Sequence, residues 1–451
     1  MVEKEDPLFK IFPFTQFDQY LAGSSISDYL KEYLEHISAK TCICEYNYID
    51  KDYMIDFSKF YARSYENIPK ITDRYHFFKE SITEEEFLAN LNQKDESFLK
   101  SLNGSYLGFI VVKKNIKDLY GKYLFGRILL ETYEKEDNGE NRVFLKHPYK
   151  VNLFGIKLEI ETLPFQQQDI AVGACATVAC WISHFPLQKL FNIQSYSPAE
   201  ITEKALLCPS DCRNFPSEGL TKEQMKAVFN CMGMDTEFIR TDIDRLGLYK
   251  DEDDIIADAV KAFINYELPI IACLTDKNND ESHAVVISGY RHNNGNIVEL
   301  YVHDDNIGPY HHIKPDSKFK LWKDSHPKDG DIDWEVESLF VPIYPKIRLV
   351  FSRIYGEFLK EKRNLEHDKL IKAAEEDLIV ELLLTDVKKY KTFIFDQPFE
   401  GKKEILTRSF PRFLWIIRKK VGDIVYSDKI YDGTAVFPEP ILEVEYITNS
   451  S

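Results

Sequence analysis

The stretch Leu163-Pro164-Phe165-Gln166-Gln167-Gln168-Asp169, with the block Gly173-Ala174-Cys175-Ala176-Thr177-Val178-Ala179-Cys180-Trp181 shortly after it, decides how this chain is read. A polar loop passes through small residues into a helical pattern, Ala176–Phe185, which Pro186 is expected to terminate for want of an N–H and by collision with the preceding turn. Cys175 falls at the mouth of that helix. There the first backbone N–H groups have no partners within the helix, and the positive end of its dipole favours a thiolate. Gly173, Ala174 and Ala176 leave room for a substrate to approach the sulfur. Gln168, seven positions earlier, is a candidate side-chain donor that would join the Cys175 N–H in an oxyanion hole, with Gln166 and Gln167 as rivals.

A cysteine at a helix start is usually an inert small hydrophobe. What lifts Cys175 above that reading lies further along the chain. Thr221-Lys222-Glu223-Gln224 is a capping-box pattern that opens a helix over Lys222–Cys231, ended near Gly233. A helix over Ile255–Asn265 leads through Pro269 into a strand, Ile270–Leu274, and a polar loop, Asp276–Ser282. His283 then starts the strand Ala284–Tyr290, Asn294-Gly295 signals a type I′ hairpin, and Ile297–His303 is the return strand. The chain leaves it at Asp304-Asp305-Asn306-Ile307-Gly308-Pro309-Tyr310. Adjacent antiparallel strands set the start of one beside the end of the other, so a carboxylate at Asp304 can meet the His283 ring, with Asp305 as its rival. His303, His311 and His312 flank this exit and are expected to be exposed.

These blocks together resemble the Gln, Cys, His and Asp/Asn blocks of papain-like cysteine peptidases, and they are most similar to the C39-like branch. The resemblance spans Leu163–Tyr310. It implies an α+β fold with a papain-like core, a helix bundle packed on an antiparallel sheet, and Cys175-His283-Asp304 catalysis with Gln168 completing the oxyanion hole. Cys180-Trp181 also resembles the papain block, but Cys180 would lie buried in the helix's second turn, which leaves Cys175 as the expected nucleophile.

Outside that span the chain divides by pattern into residues 1–160, 161–345 and 346–451. The first part reads as mixed α+β: helices over Ile26–Ile37 and Glu84–Leu91, then strands over Tyr106–Val112, Arg127–Thr132 and Val151–Ile160, with no cluster at catalytic spacing. Cys42-Ile43-Cys44 fits alternate faces of a strand. The last part carries a charged helix around Glu357–Leu384 and strands near the end.

Composition sets the outer bounds. With 451 residues, 44% of them apolar and 14% aromatic, the chain has the makings of a folded protein of about two or three domains. Lysine plus arginine is 57 and aspartate plus glutamate 74, so the net charge is −17, which disfavours nucleic acid and anionic membranes as partners. The charged start without an apolar segment, and eight cysteines thinly spread, fit free thiols in the cytoplasm. No cofactor motif is present, and Cys208, Cys212 and Cys231 lack a fourth ligand for structural zinc. The expectation is a cysteine hydrolase acting on a protein or peptide substrate. Transglutaminase- or deamidase-type acyl transfer at the same site and a non-catalytic binding module are the alternatives, and the oligomeric state is left open.

Overall fold

The computed structural model describes residues 8–21, 26–65, 67–117, 123–137, 140–169, 172, 174–208, 219–241, 254–276, 281–293, 295–314, 318–326, 330–372, 378–422 and 424–446. Gly173, Cys212, Asn294 and part of the 276–282 loop lie outside them. The fold is mixed α+β with several antiparallel sheets.

The first sheet takes its five strands in chain order: Phe9–Pro13, Thr41–Tyr48, Thr72–Phe78, Tyr106–Lys117 and Tyr123–Leu130. Strand alternation splits its second strand as the sequence suggests. Cys42 and Cys44 enter the main apolar core, and Ile43 enters a separate cluster on the other face. The helices Ser27–His36 and Glu84–Gln93 fall where the sequence places them, the second capped by Thr83 Oγ1, which accepts the Glu86 N–H at 3.2 Å.

The expected strand Val151–Ile160 is instead a hairpin, His147–Leu153 against Ile156–Thr162. Phe154 (φ 50°) and Gly155 (φ 93°) both take left-handed conformations between the strands, and Asn152 Oδ1 accepts the Gly155 N–H at 3.0 Å. The phase of the apolar alternation changes there, from Val151 and Leu153 to Ile156, Leu158 and Ile160, and Asn152 and Gly155 supply the turn chemistry.

The central sheet has nine strands. Its main path runs Asp235–Arg240, Gly330–Ile343, Ile270–Asp276, Ser282–Asn293, Asn296–Asp304, Gly308–Ile313. Leu321–His326 pairs with the second of these, and Glu140–Phe144, from the earlier part of the chain, pairs with Ser282–Asn293. That approach needs a glycine: a Cβ on Gly289 would sit 2.4 Å from the Val143 carbonyl oxygen.

The helix Cys175–Phe191 packs on the strands Ser282–Asn293 and Ile270–Asp276. It runs through Pro186 rather than stopping there, and ends at Asn192 in a left-handed cap (φ 55°). Pro186 removes only its own bond to the Ile182 carbonyl. Burial of nearly the whole helix, from Ala176 to Leu187, outweighs that loss.

In the last part a helix spans Phe351–Lys372 and the apolar run that follows is a strand, Ile379–Asp386, the first of a four-stranded sheet completed by Phe413–Val421, Ile424–Asp432 and Pro440–Glu445. The helix therefore ends well short of the expected Leu384. Leu382 and Leu384 face the main core while Leu383 packs against a second cluster, so both strand faces are covered and period-two alternation is hidden. A single buried apolar cluster includes Phe12 and Leu30 from the early chain, Trp181 and Phe340 from the middle, and Phe351 and Trp415 from the end. Among the described residues no helix is long and apolar enough to cross a membrane.

Candidate active site

Cys175 is the first residue of its helix, preceded by Ala174 in extended conformation with no side-chain cap; the Thr177 and Val178 N–H groups both donate to the Ala174 carbonyl, at 2.9 and 3.2 Å. His283 is the second residue of the strand Ser282–Asn293, and Asp304 the last of Asn296–Asp304. The two strands are paired, and the hairpin turn places Gly295 at φ 80°. His283 Nε2 lies 3.0 Å from Asp304 Oδ1 and 3.9 Å from Asp305 Oδ1. The distances separate the two rivals: Asp304 holds the ring.

Three residues bring their chemistry to one ring. All three of His283, Asp304 and Asp305 are buried. Burial pulls the His283 imidazole towards neutrality, but the Asp304 charge, its hydrogen bond and the Cys175 side chain together hold its pKa well above 6.5. With Nε2 committed to Asp304, Nδ1 is the nitrogen left for the thiol. Burial also works against the Asp304 charge, yet His283 and the Asn306 N–H hold its carboxyl below the ordinary range. Asp305 shifts the other way, pushed up to about 7 by burial and by the neighbouring Asp304 charge in spite of His283.

Cys175 and His283 line one cavity of about 180 Å³ with apolar walls that include Leu220, Met225, Leu274 and Ala284, and the Lys222–Glu337 ion pair (2.6 Å) stands at it. Cys180, by contrast, is fully buried in the helix, and burial raises its pKa, which makes it the inert thiol of the pair. All seven described cysteines are free thiols.

The three glutamines part company. Gln167 Oε1 accepts the Phe125 N–H at 3.1 Å, and Gln166 is buried. Gln168 is half-buried and its Nε2 donates to Asn306 Oδ1 at 2.7 Å, while the Asn306 N–H donates to Asp304 Oδ1 at 2.9 Å. Gln168 and the orienting carboxylate are thus joined through Asn306. This bond uses one of the two Gln168 amide hydrogens, and Gln168 is not among the residues that line the cavity at Cys175 and His283.

Asn306 and two further residues escape sequence reasoning. Trp334, from the strand Gly330–Ile343, lies against the His283 ring with centroids 5.6 Å apart and itself is nearly buried, shielding the ring from water. Tyr29, from the helix Ser27–His36, donates to the Pro309 carbonyl at 2.7 Å and packs on Gly308, where a Cβ would meet its ring at 2.2 Å. Neither has a spacing signal, because each arrives from a distant part of the chain; Asn306 alone sits inside a block already singled out.

The expected exposure of the flanking histidines is corrected. His303 is buried between the rings of Phe165 and Tyr310, and burial lowers its pKa to about 3, so it is neutral. The chain after Asp304 turns back as the strand Gly308–Ile313, which half-buries His311 and His312 as well. His283, Asp304 and Asp305 also offer ligand atoms within 4.8 Å of one another, the one such metal-competent grouping among the described residues, but its imidazole nitrogen already bonds Asp304. When the chain is compared with known proteins, no family model and no curated protein matches it.

Proposed function

We propose that the protein is a cysteine hydrolase of papain-like type, most simply a peptidase, with Cys175 as nucleophile, His283 as base and acid, Asp304 as the group that orients the ring, and Gln168 with the Cys175 N–H as oxyanion donors. The observation that carries this reading is one imidazole held by Asp304 at 3.0 Å and reached by the side chain of a helix-mouth cysteine, at a cavity. The resemblance of the Gln, Cys, His and Asp blocks to the C39-like branch supports the same assignment.

In this mechanism the Cys175 proton passes to His283 Nδ1, and the sulfur attacks the acyl carbon. The carbonyl electrons move to an oxygen that the two donors receive. The imidazolium returns its proton to the departing amine as the C–N bond breaks, leaving a thioester. A water molecule, deprotonated by His283, then cleaves the C–S bond, releases the acid and restores the thiol. Asp304 keeps Nδ1 aimed at the sulfur throughout and stabilises the positive ring.

Iodoacetamide at mildly acidic pH tests the assignment. Cys175 is expected to be alkylated ahead of the exposed Cys231, and a thiol-directed peptide aldehyde should protect it. Preferential alkylation of Cys231 or Cys180 would sink the reading. Mass spectrometry of treated proteins separates the outcomes for the substrate: cleaved backbone supports a peptidase, whereas a crosslink or side-chain deamidation would transfer the same site to acyl-transfer chemistry.

A further inference from the structure

The extended segment that carries Gln168 is fastened to the N-terminal sheet at every second residue. Phe165 exchanges two backbone hydrogen bonds with Ile128, at 2.7 and 3.0 Å. Gln167 takes the Phe125 N–H through its side chain at 3.1 Å. Asp169 Oδ2 takes Lys113 Nζ at 2.8 Å and the Tyr61 hydroxyl as well. The Gln167 and Asp169 side chains are thus drawn to that sheet, while the Phe165 ring packs on His303 and the Gln168 amide meets Asn306.

Lys113 belongs to the strand Tyr106–Lys117 in the first sheet, and its side chain is only 2% exposed, that of Asp169 only 5%. Burial works against a charged lysine, but Asp169 and Asp56 hold Lys113 charged. Asp56, on the helix Lys51–Lys59, is itself fixed by the Ala199 N–H at 3.0 Å. A buried ion pair is a poor device for stability alone, because apolar residues of similar volume do as well or better; what it does supply is one defined position. The position supplied here is that of the residue directly after Gln168.

We propose that Lys113 and Asp169 are positioning residues that set the Gln168 carboxamide for the oxyanion, so that the N-terminal sheet is a working part of the catalytic apparatus and not a removable inhibitory segment. This rests on the hydrolase reading above. The cost of misplacement is large in such sites: a shift of about 1 Å can cost ~100-fold, as much as loss of an oxyanion donor.

The test uses the full chain and p-nitrophenyl acetate, whose acetyl group Cys175 would take with release of p-nitrophenolate before water clears the thioester. Lys113→Met alone leaves the buried Asp169 charge without its cation and threatens folding, so the working variant is Lys113→Met/Asp169→Asn, which removes both charges. Its turnover number is expected to fall by about 10- to 100-fold with little change in KM, and Gln168→Ala should fall by a similar factor. Combining all three substitutions should lose no more than Gln168→Ala alone, because they act through one donor. Alkylation of Cys175 by iodoacetamide involves no oxyanion, and its rate should stay within about twofold in every variant. Parallel loss of alkylation and turnover would reveal a merely structural pair, and unchanged turnover or multiplying losses would equally overturn the proposal. Wild-type protein that fails to release p-nitrophenolate would remove the hydrolase reading and this one together.

Discussion

His283 stands between two carboxylates of opposite tendency, and the pH behaviour of the site follows from them. The raised His283 pKa means that the imidazolium survives to higher pH than a free histidine would allow, so the alkaline limb of kcat/KM should lie above 6.5. Asp305, with its pKa near 7, becomes a second anion beside the ring only above that pH. Asp305→Asn is therefore expected to draw the alkaline limb to lower pH with a modest loss of rate. Asp304→Asn removes the nearer charge and the orienting bond, and should draw the limb further down while cutting turnover by about 10²–10⁴. A pH profile in which both variants match the wild type would refute the assignment of Asp304 as orienter. At this scale the sequence was legible for Cys175, His283 and Asp304, because helix mouth, strand start and hairpin exit are local signals. It could not rank Asp304 against Asp305: adjacent residues differ by less than an ångström in their approach to the ring, 3.0 against 3.9 Å, and only coordinates resolve that.

Elements that stop and start on their own chemistry were the easiest to read. The helix Lys222–Cys231 has both halves of its Thr221/Gln224 capping box in place, at 3.2 and 3.0 Å. Those decided by their surroundings were not: Pro186 passes inside a buried helix, and Leu382–Leu384 forms a strand covered on both faces. One element junction carries a stability prediction. Glu237, buried on the strand Asp235–Arg240, accepts backbone N–H groups at the start of the helix Phe351–Lys372, yet burial pushes its pKa from 4.5 up to about 7. A carboxyl raised in the folded state contributes stability in full below its unfolded value and loses it as pH rises through about 7. Glu237→Gln should thus match the wild type at about pH 4 and exceed it at about pH 8 by on the order of 1–3 kcal/mol, read from urea midpoints at the two pH values. A constant offset between the two would contradict it. Gly308→Ala is the complementary case: Tyr29 leaves no room for a methyl group, so the Asp304 loop must shift, with loss of turnover and about 1–3 kcal/mol of stability in the same titrations.

For the whole molecule, the early chain holds no cluster at catalytic spacing, but spacing is blind to residues that reach a site from another sheet. Lys113, Tyr61 and Tyr29 do so, and Asp52 does the same for the helix Cys175–Phe191, accepting Trp181 Nε1–H at 3.1 Å and Arg127 at 2.6 Å. A chain lacking residues 1–134 would expose Leu163, Phe165 and Trp181, all members of the shared core, and is expected to be recovered unfolded rather than activated. A soluble, active truncated chain, shown by circular dichroism and Cys175 alkylation, would refute that.

The strand order has one more implication. Ile270–Asp276 is flanked by Ser282–Asn293 on one side and by Gly330–Ile343 on the other, so the sheet under the site waits for a partner some sixty residues downstream. On the ribosome the thiol, the imidazole and the carboxylate will all have emerged while that slot is still empty, and such non-local pairing is slow to form. The sheet that carries His283 can therefore be completed only after translation has passed Ile343.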